Sequence, residues 1–379
     1  LPNRYLPPVT TLRRLLALQI LALTVATAQE SAPPLPRVLV VATGGTIAGV
    51  QDAPGTLGGY RAGTLTAEQV VASVPELKRF AEVGYEQFSN VASPLITPAQ
   101  WVALSRRIDA AFAEDPQLAG VVVTHGTDRL EETAFFLYLT VRSERPVVIV
   151  GAQRPATGIS PDGPINLLAA VRTAADTAAV GKGAMVVMDD RILSAREVRK
   201  HYQRVGGFEG GDMGMLGVVS ADGPQFFFAP LRRHGARSEF DLRQVDSLPE
   251  VALTFSYPGG RGPAFDRTPL GVVVTTTGFT RDESRAYRRL RQEGVVVVEV
   301  FPSGDNVNGT RQRAPGALNL DSLRAAAKTE ADSLRVEELA APPMVSAQHL
   351  TPQKARILLM LALTRSRDPR EVQRYFREY

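Results

Sequence analysis

The stretch GVVVTHGTDRLEETAFFL, residues 120–137, decides the class of fold. A continuous apolar run ends at Thr124, and a helical pattern follows the polar residues 124–128. A Val-rich run that is apolar at successive positions is typical of a strand buried on both faces of a parallel sheet. The stretch therefore predicts a strand, a polar turn and a helix in succession.

The same alternation recurs along the chain. Segments 37–42, 145–152 and 183–190 are also Val-rich and predict buried parallel strands, while 97–115 and 163–180 have helical spacing. We therefore expect an α/β fold, with a large N-terminal domain built on a mainly parallel sheet flanked by helices and a smaller C-terminal α/β domain.

The second half of the chain begins after a polar interval rich in Pro and Gly. Beyond it, predicted strands at 271–277 and 293–302 flank an Arg-rich helix, and the apolar positions of 351–364 suit a helix packed on a core. The predicted organisation is a signal peptide at 1–28, a linker at 29–36, a large domain at 37–240, an interdomain linker at 241–265 and a small domain at 266–379.

The N-terminus has the order of a secretory signal. Arg13 and Arg14 precede an apolar stretch from Leu15 to Val25, and the small residues 26–28 follow, so cleavage is expected before Gln29. The alternative is an amphipathic or buried N-terminal helix. Because the apolar stretch is short for a permanent anchor, we expect a periplasmic or secreted protein that leaves the membrane once the signal is cleaved.

Composition argues against several kinds of chemistry. Cysteine is absent, which excludes disulfides, thiolate ligands and a Cys nucleophile. The four histidines lie far apart without ligand-type neighbours, so no metal is expected, and no G-x-S-x-G signature is present. The 43 basic and 39 acidic residues are dispersed without interleaved aromatics, so we expect no nucleic-acid partner.

Two loops occupy the position where α/β sheets bind ligands, beyond the carboxyl ends of strands. In ATGGTIAG, residues 42–49, two glycines allow a sharp turn and leave Thr46 beyond the strand end. The loop lacks the Gly-Lys-Ser/Thr ending of a phosphate loop. An alternative interpretation is a tight turn in which Thr46 caps the next segment.

In the second loop, Thr127 and Asp128 place a hydroxyl beside a carboxylate. Such a pair can bind an amino group and hold a water. The alternative is that Asp128 is a helix N-cap, with Glu131 and Glu132 as favourable acids in the first turn.

A nucleophilic threonine needs a base, because a free hydroxyl is a poor nucleophile at neutral pH. Two residues are candidates for this part of the chemistry. Lys200 follows the predicted strand at 183–190, and burial near a hydroxyl would favour its neutral form. Tyr60 lies in the Gly-rich stretch GTLGGYRAG, which could move as a lid. The alternatives are a solvated helical lysine and a tyrosine that shields the core.

The segments VLVVATGGTIAG and VVVTHGTDRLEETAFFL closely resemble the two signature segments of bacterial L-asparaginases, which are threonine amidohydrolases. The resemblance covers about residues 37–379. It implies an amino-acid amide as substrate, no metal or organic cofactor, and a homotetramer with sites at subunit interfaces. The export signal favours the periplasmic, type II branch.

The resemblance also implies a role for each matching residue. Thr46 matches the nucleophile that forms an acyl-enzyme, and Tyr60 matches the mobile tyrosine that polarises it. Thr127, Asp128 and Lys200 match a hydroxyl, an acid and a lysine that act as a relay to activate water. Asp128 would also contact the substrate α-ammonium, as a charge-assisted hydrogen bond.

Substrate binding shows both a match and departures. Ser93 matches the serine that helps to bind the α-carboxylate. Pro94 stands where the family often has Gln or Glu, and Phe279 stands where many relatives carry a polar residue lent to a neighbouring subunit's site. No residue after FPSGDNVNG matches the acid that relatives supply there.

The leading hypothesis is an amidohydrolase that converts L-asparagine to L-aspartate and ammonia through a threonine acyl-enzyme, with L-glutamine as a further candidate. A related amidase with a different amide substrate is one alternative, which the altered pocket residues favour. A non-catalytic periplasmic amino-acid-binding protein is another, and the retained lysine relay disfavours it.

Overall fold

The computed structural model describes residues 34–55, 59–303 and 320–379. The predicted signal peptide at 1–28 and the segment at 304–319 lie outside these residues. The strands are β1 (Arg37–Gly44), β2 (Val50–Gln51), β3 (Tyr60–Arg61), β4 (Glu82–Val91), β5 (Leu118–Thr124), β6 (Val147–Val150), β7 (Ala184–Met188), β8 (Arg191–Ser194), β9 (Arg199–Lys200), β10 (Phe208–Glu209), β11 (Met215–Val219), β12 (Pro224–Phe226), β13 (Val251–Phe255), β14 (Gly271–Thr275), β15 (Val296–Val300) and β16 (Val345–Ser346).

The α-helices alternate with the strands in the manner of an α/β protein. They are α1 (Ala67–Ala72), α2 (Pro98–Glu114), α3 (Leu130–Thr140), α4 (Gly163–Ala175), α5 (Arg281–Gln292), α6 (Leu320–Ala326), α7 (Glu330–Ala340), α8 (Pro352–Leu363) and α9 (Pro369–Glu378). Short 3₁₀ turns at Thr46–Ala48 and Ser93–Leu95 interrupt the loops that follow β1 and β4.

Two sheets organise these elements. The larger has eight strands in the order β12-β11-β8-β7-β6-β5-β1-β4, parallel from β4 to β7 and antiparallel beyond. The smaller has the order β13-β14-β15-β16, and all of its neighbours are parallel. Helices pack on both sheets. The predicted fold class is therefore confirmed.

Local sequence signals explain where the helices begin. Thr97 caps α2 and Thr280 caps α5, each in a capping box whose partner side chain lies three residues later. The reciprocal bonds satisfy amide donors that the first helical turn leaves unpaired. The predicted helix at 97–115 thus forms at Pro98–Glu114, and the Arg-rich helix at Arg281–Gln292.

One predicted linker contains a strand. The interval 241–265 was predicted to be a connection, yet β13 at Val251–Phe255 forms the edge of the small sheet there. An edge strand is covered on fewer sides, and β13 has only Val251 fully buried, so its sequence lacks the continuous apolar run of β14. The small sheet therefore starts before residue 266, while the division into a large domain at 37–240 and a small domain at 266–379 stays a prediction.

Helix α8 joins the cores of the two sheets. From Ala355 to Leu363 nearly every residue is buried, and the helix contacts β13, β14 and β15 as well as α3 of the large sheet's flank. Its residues belong to the same hydrophobic cluster as Val38 of β1 and Val121 of β5. A second cluster, around Tyr287, fills the other face of the small sheet.

Candidate active site

The loops that follow β1 and β5 meet at one edge of the large sheet. The two strands are parallel neighbours, with Ala42 paired to Thr124, so their carboxyl ends lie at the same level. The Thr43 hydroxyl donates to the Thr124 carbonyl at 2.8 Å. A Cβ placed on Gly45 would lie only 2.3 Å from the Gly126 Cα. The loops therefore pack backbone against backbone.

This close approach makes Gly45 a sensitive position. Its φ of 84° and ψ of −169° lie in a region that only glycine readily adopts. We expect Gly45→Ala to lower the free energy of unfolding by more than the roughly 1–3 kcal/mol of backbone strain alone, because the added methyl also overlaps the second loop. Urea unfolding measures the change.

The chain offers a matched control for that substitution. Gly294 has a similar φ of 86°, but a Cβ there would meet nothing within 4 Å. Gly294→Ala therefore reports the cost of a positive φ without the overlap. Equal destabilisation by the two substitutions would contradict the argument that the loops are in contact at Gly45.

Thr46 sits at the start of the 3₁₀ turn after β1 and is buried, with 6% exposure. Its Oγ1 lies 2.7 Å from the Tyr60 hydroxyl on β3. The Gly63 amide donates to the Gly45 carbonyl at 3.0 Å, which ties the segment after Tyr60 to the first loop. The Thr46 hydroxyl thus pairs with the Tyr60 hydroxyl. The 3₁₀ turn has Gly45 as its N-cap residue and no side-chain capping bond, so Thr46 does not act as a cap.

Thr127, Asp128 and Lys200 form a second group. The Lys200 Nζ donates to Thr127 Oγ1 at 2.8 Å and to Asp128 Oδ1 at 2.7 Å. The lysine side chain is 12% exposed and the carboxylate side chain 50%. Helix α3 has Arg129 as its N-cap residue, without a side-chain cap, so Asp128 is not the N-cap. Lys200 lies in the two-residue strand β9 and its side chain is largely buried, so it is not a solvated helical lysine.

Ser93 lies against the second loop. Its Oγ accepts a hydrogen bond from the Arg129 backbone N–H at 3.3 Å. A Cβ on Gly126 would lie 2.8 Å from the same oxygen, so glycine is required for this contact. Pro94 follows within the same 3₁₀ turn. The structure thus brings the candidate substrate-binding serine next to the candidate relay.

A buried hydrogen-bond chain supports the second loop, and no pattern in the sequence indicates a role for its members. The Trp101 indole N–H donates to Thr133 Oγ1 at 2.8 Å, and this hydroxyl lies 2.9 Å from His125 Nε2. Because a carbonyl can only accept, His125 Nδ1 carries the proton and donates to the Gly126 carbonyl at 2.7 Å, and Nε2 of the neutral ring accepts the Thr133 hydroxyl proton. Burial lowers the pKa of His125 to about 4, so the ring stays neutral near pH 7.

Phe279, which the family resemblance implied to be a departure, packs against the core of the small sheet. Its ring stacks at an angle on Tyr287, with centroids 5.2 Å apart, as part of the small sheet's second core cluster. The residues that directly follow FPSGDNVNG, 310–319, lie outside the described residues. Phe279 therefore contributes to the packing of the small sheet.

Within residues 34–55, 59–303 and 320–379, no group of three or more His, Cys, Asp or Glu side chains is arranged to hold a metal ion. In the same ranges, no helix combines the length and apolar character needed to cross a membrane.

The two groups can act together on an acyl compound. One buried hydroxyl, on Thr46, has a phenol as its proton partner, and a second, on Thr127, has a lysine. A hydroxyl beside a group that exchanges protons is the arrangement required for covalent catalysis by serine or threonine. The half-exposed Asp128 carboxylate is available to a cationic ligand group.

Known proteins show the same architecture. Residues 37–232 match the family described as "Asparaginase, N-terminal". The chain is 37% identical to L-asparaginase 2 of Bacillus subtilis, over 91% of this chain and 87% of that protein. It is 35% identical to a glutaminase-asparaginase of Pseudomonas aeruginosa, over 96% and 97%. A solved structure, the probable cytoplasmic L-asparaginase of Campylobacter jejuni, matches with a TM-score of 0.76 at 34% identity, over 90% of this chain and 99% of that one.

Proposed function

The chain belongs to the asparaginase family of amidohydrolases, and from that premise we propose that it hydrolyses the side-chain amide of L-asparagine to L-aspartate and ammonia. L-Glutamine, whose amide is one methylene further from the α-carbon, is the second candidate substrate, in keeping with the name of the Pseudomonas relative. The named relatives do not favour a binding protein or an amidase for an unrelated amide.

The observation that carries this proposal is the pairing of each threonine with its own proton partner on adjoining loops. Thr46 Oγ1 lies 2.7 Å from the Tyr60 hydroxyl, and Thr127 Oγ1 accepts from Lys200 at 2.8 Å. A protein that only binds an amino acid has no need of either arrangement. Hydrolysis through an ester needs both, one for acylation and one for deacylation.

In the first half-reaction, Thr46 Oγ1 attacks the side-chain amide carbon. Its proton passes through the Tyr60 hydroxyl, which lies within hydrogen-bond distance. The leaving nitrogen gains a proton, the C–N bond breaks, and ammonia departs. The product of this step is an ester between Thr46 and the aspartyl side chain.

In the second half-reaction, a water attacks the ester carbon. The Thr127 oxygen takes the proton from the water as its own hydroxyl proton passes to the Lys200 amine, which accepts it in its uncharged form, and Asp128 lies 2.7 Å from that nitrogen. The C–O bond to Thr46 breaks as the threonine oxygen receives the proton that the Thr127–Lys200 pair took from the water, which restores the starting hydroxyl. The net reaction consumes one water and releases aspartate.

The charged ends of the substrate have partners of the right chemistry. The half-exposed Asp128 carboxylate can contact the α-ammonium, and Ser93 Oγ can donate its proton to the α-carboxylate while it accepts from Arg129 N–H. Backbone N–H groups in glycine-rich turns can stabilise the oxyanion, with each donor worth about 2.7–4 kcal/mol of barrier.

Ammonia release from L-asparagine, L-glutamine and the two D-isomers tests the proposal directly. We expect release from L-asparagine above all. Release only from some other amide would transfer the proposal to a different substrate. Binding of L-asparagine without release from any amide would overturn it in favour of a binding protein.

We also propose export to the periplasm and assembly as a homotetramer. The order of residues 13–28 supports export, although the Campylobacter protein is described as probably cytoplasmic, so membership of the family does not settle the compartment. The tetramer is proposed on the family resemblance. Cell fractionation tests the first proposal, and the mass of the purified protein in solution tests the second.

A further inference from the structure

Two residues that have no role in the reaction described above, Glu131 and Lys354, form hydrogen bonds with the backbone at and just before Lys200. A lysine side chain is long and flexible, so its ammonium reaches a fixed place only when its backbone is fixed. Between β8 and β9, residues 195–198 pass through the interior, with Ala195, Arg196 and Val198 buried. The contacts made by this segment therefore decide where the Lys200 amine lies.

Glu131 holds the Lys200 backbone directly. Its Oε2 accepts the Lys200 backbone N–H at 2.7 Å. Glu131 lies in the first turn of α3, only a few residues beyond Thr127 and Asp128, which accept from the Lys200 amine. Residues 127–131 thus bind both the backbone N–H and the side-chain amine of the same lysine.

Lys354 binds the backbone of the segment that precedes Lys200. It is 1% exposed, in the first turn of α8, and its Nζ donates to the Arg196 carbonyl at 2.8 Å and to the Val198 carbonyl at 2.5 Å. Burial lowers its pKa to about 8, while the nearby Glu131 carboxylate opposes that change. A buried cation of this kind must be satisfied by its surroundings, and here the segment before Lys200 supplies the acceptors.

We propose that Glu131 and Lys354 are positioning residues, which hold the Lys200 backbone where its ammonium reaches both acceptors of the relay. Neither side chain is assigned a contact with substrate. They act on turnover only through Lys200. This inference rests on the proposed function, because it concerns the water-activating step of that reaction.

A double-substitution experiment tests the dependence on Lys200. Glu131→Ala and Lys354→Met are each made in the wild-type protein and in the Lys200→Ala variant, and kcat for ammonia release from L-asparagine is measured. In the wild type, we expect each to lower kcat roughly 10- to 100-fold, as a misplacement of about 1 Å can, with little change in KM. In Lys200→Ala, we expect neither to lower kcat further, because residues that act as one unit are not additive.

Two controls separate positioning from general damage. Glu132→Gln removes a neighbouring carboxylate of the same helical turn, which pairs with Arg129 at 2.7 Å and not with Lys200. Lys182→Met removes an amine that also donates to a backbone carbonyl, that of Ala178. Both are expected to keep wild-type kcat. Glu131→Gln keeps an oxygen acceptor and should restore part of the activity that Glu131→Ala loses.

Loss of kcat by the same factor in the Lys200→Ala variant as in the wild type would overturn the inference, as would wild-type kcat in Glu131→Ala. Lys354→Met leaves two buried carbonyls without a donor and can fail to fold; the Glu131 substitutions then decide the matter alone. A wild-type protein that releases no ammonia would instead refute the proposed function, so the two failures are distinguishable.

Discussion

Thr46→Ala is expected to reduce kcat for L-asparagine by roughly 10⁴-fold or more, the scale seen when a catalytic nucleophile is removed. The substitution deletes the oxygen that would carry the acyl group, and it leaves Tyr60 without the partner that lies 2.7 Å away. A residual rate would come from the remaining oxyanion donors and from substrate binding. Ammonia release at saturating asparagine measures the effect.

The loss of kcat can be assigned to the chemical step only if the Thr46→Ala protein still folds and still binds L-asparagine. Thr46→Ser keeps the hydroxyl and should retain much of the activity, because only a methyl group is lost. Calorimetric titration of Thr46→Ala with L-asparagine should still show binding. A Thr46→Ala protein that turns over asparagine within tenfold of the wild type would remove this residue from the chemistry and make the second threonine the candidate nucleophile.

Lys200→Ala is expected to lower kcat by roughly 10²- to 10⁴-fold, the usual contribution of a positioned acid or base, with little change in the midpoint of thermal unfolding. The Lys200 amine is the only described hydrogen-bond partner of the Thr127 hydroxyl, and it also pairs with Asp128 at 2.7 Å. Without it, deacylation should become the slow step. The acyl-enzyme should then accumulate and be visible by mass spectrometry of the quenched reaction.

Lys200→Arg separates proton exchange from charge. Arginine keeps a positive charge beside Asp128 but does not give up a proton in proteins. If Lys200 exchanges protons with Thr127, the arginine variant should be almost as slow as Lys200→Ala. Wild-type turnover in Lys200→Arg would show that the residue supplies only a charge, and wild-type turnover in Lys200→Ala would exclude it from the mechanism.

The strands of the parallel sheets could be predicted from sequence because burial on both faces produces an uninterrupted apolar run. β5 and β14 are examples, and each lies within two residues of its predicted bounds. β4 and β13 escaped prediction because they lie at sheet edges, where half-exposed positions mix polar and apolar residues. The pairing of the antiparallel strands β8 and β11 depends on chain reversals, which periodicity does not encode.

In the candidate site, too, some residues could be predicted from the sequence and some contacts could not. Thr46, Thr127 and Asp128 could be selected because each follows a predicted strand, where ligands bind. The partnership of Thr127 with Lys200 joins residues 73 positions apart and depended on the family resemblance. Glu131 was interpreted only as a favourable acid at a helix start, because spacing along the chain gives no sign that its carboxylate reaches the Lys200 amide.

The position of α8 has a consequence for protein synthesis. The helix completes the interior shared by both sheets, and its Lys354 donates to carbonyls just ahead of Lys200. A nascent chain that has left the ribosome only as far as β15 contains every candidate catalytic residue but not this helix. We therefore expect the enzyme to turn over its first substrate molecule only after the chain through Leu363 has emerged and α8 has packed.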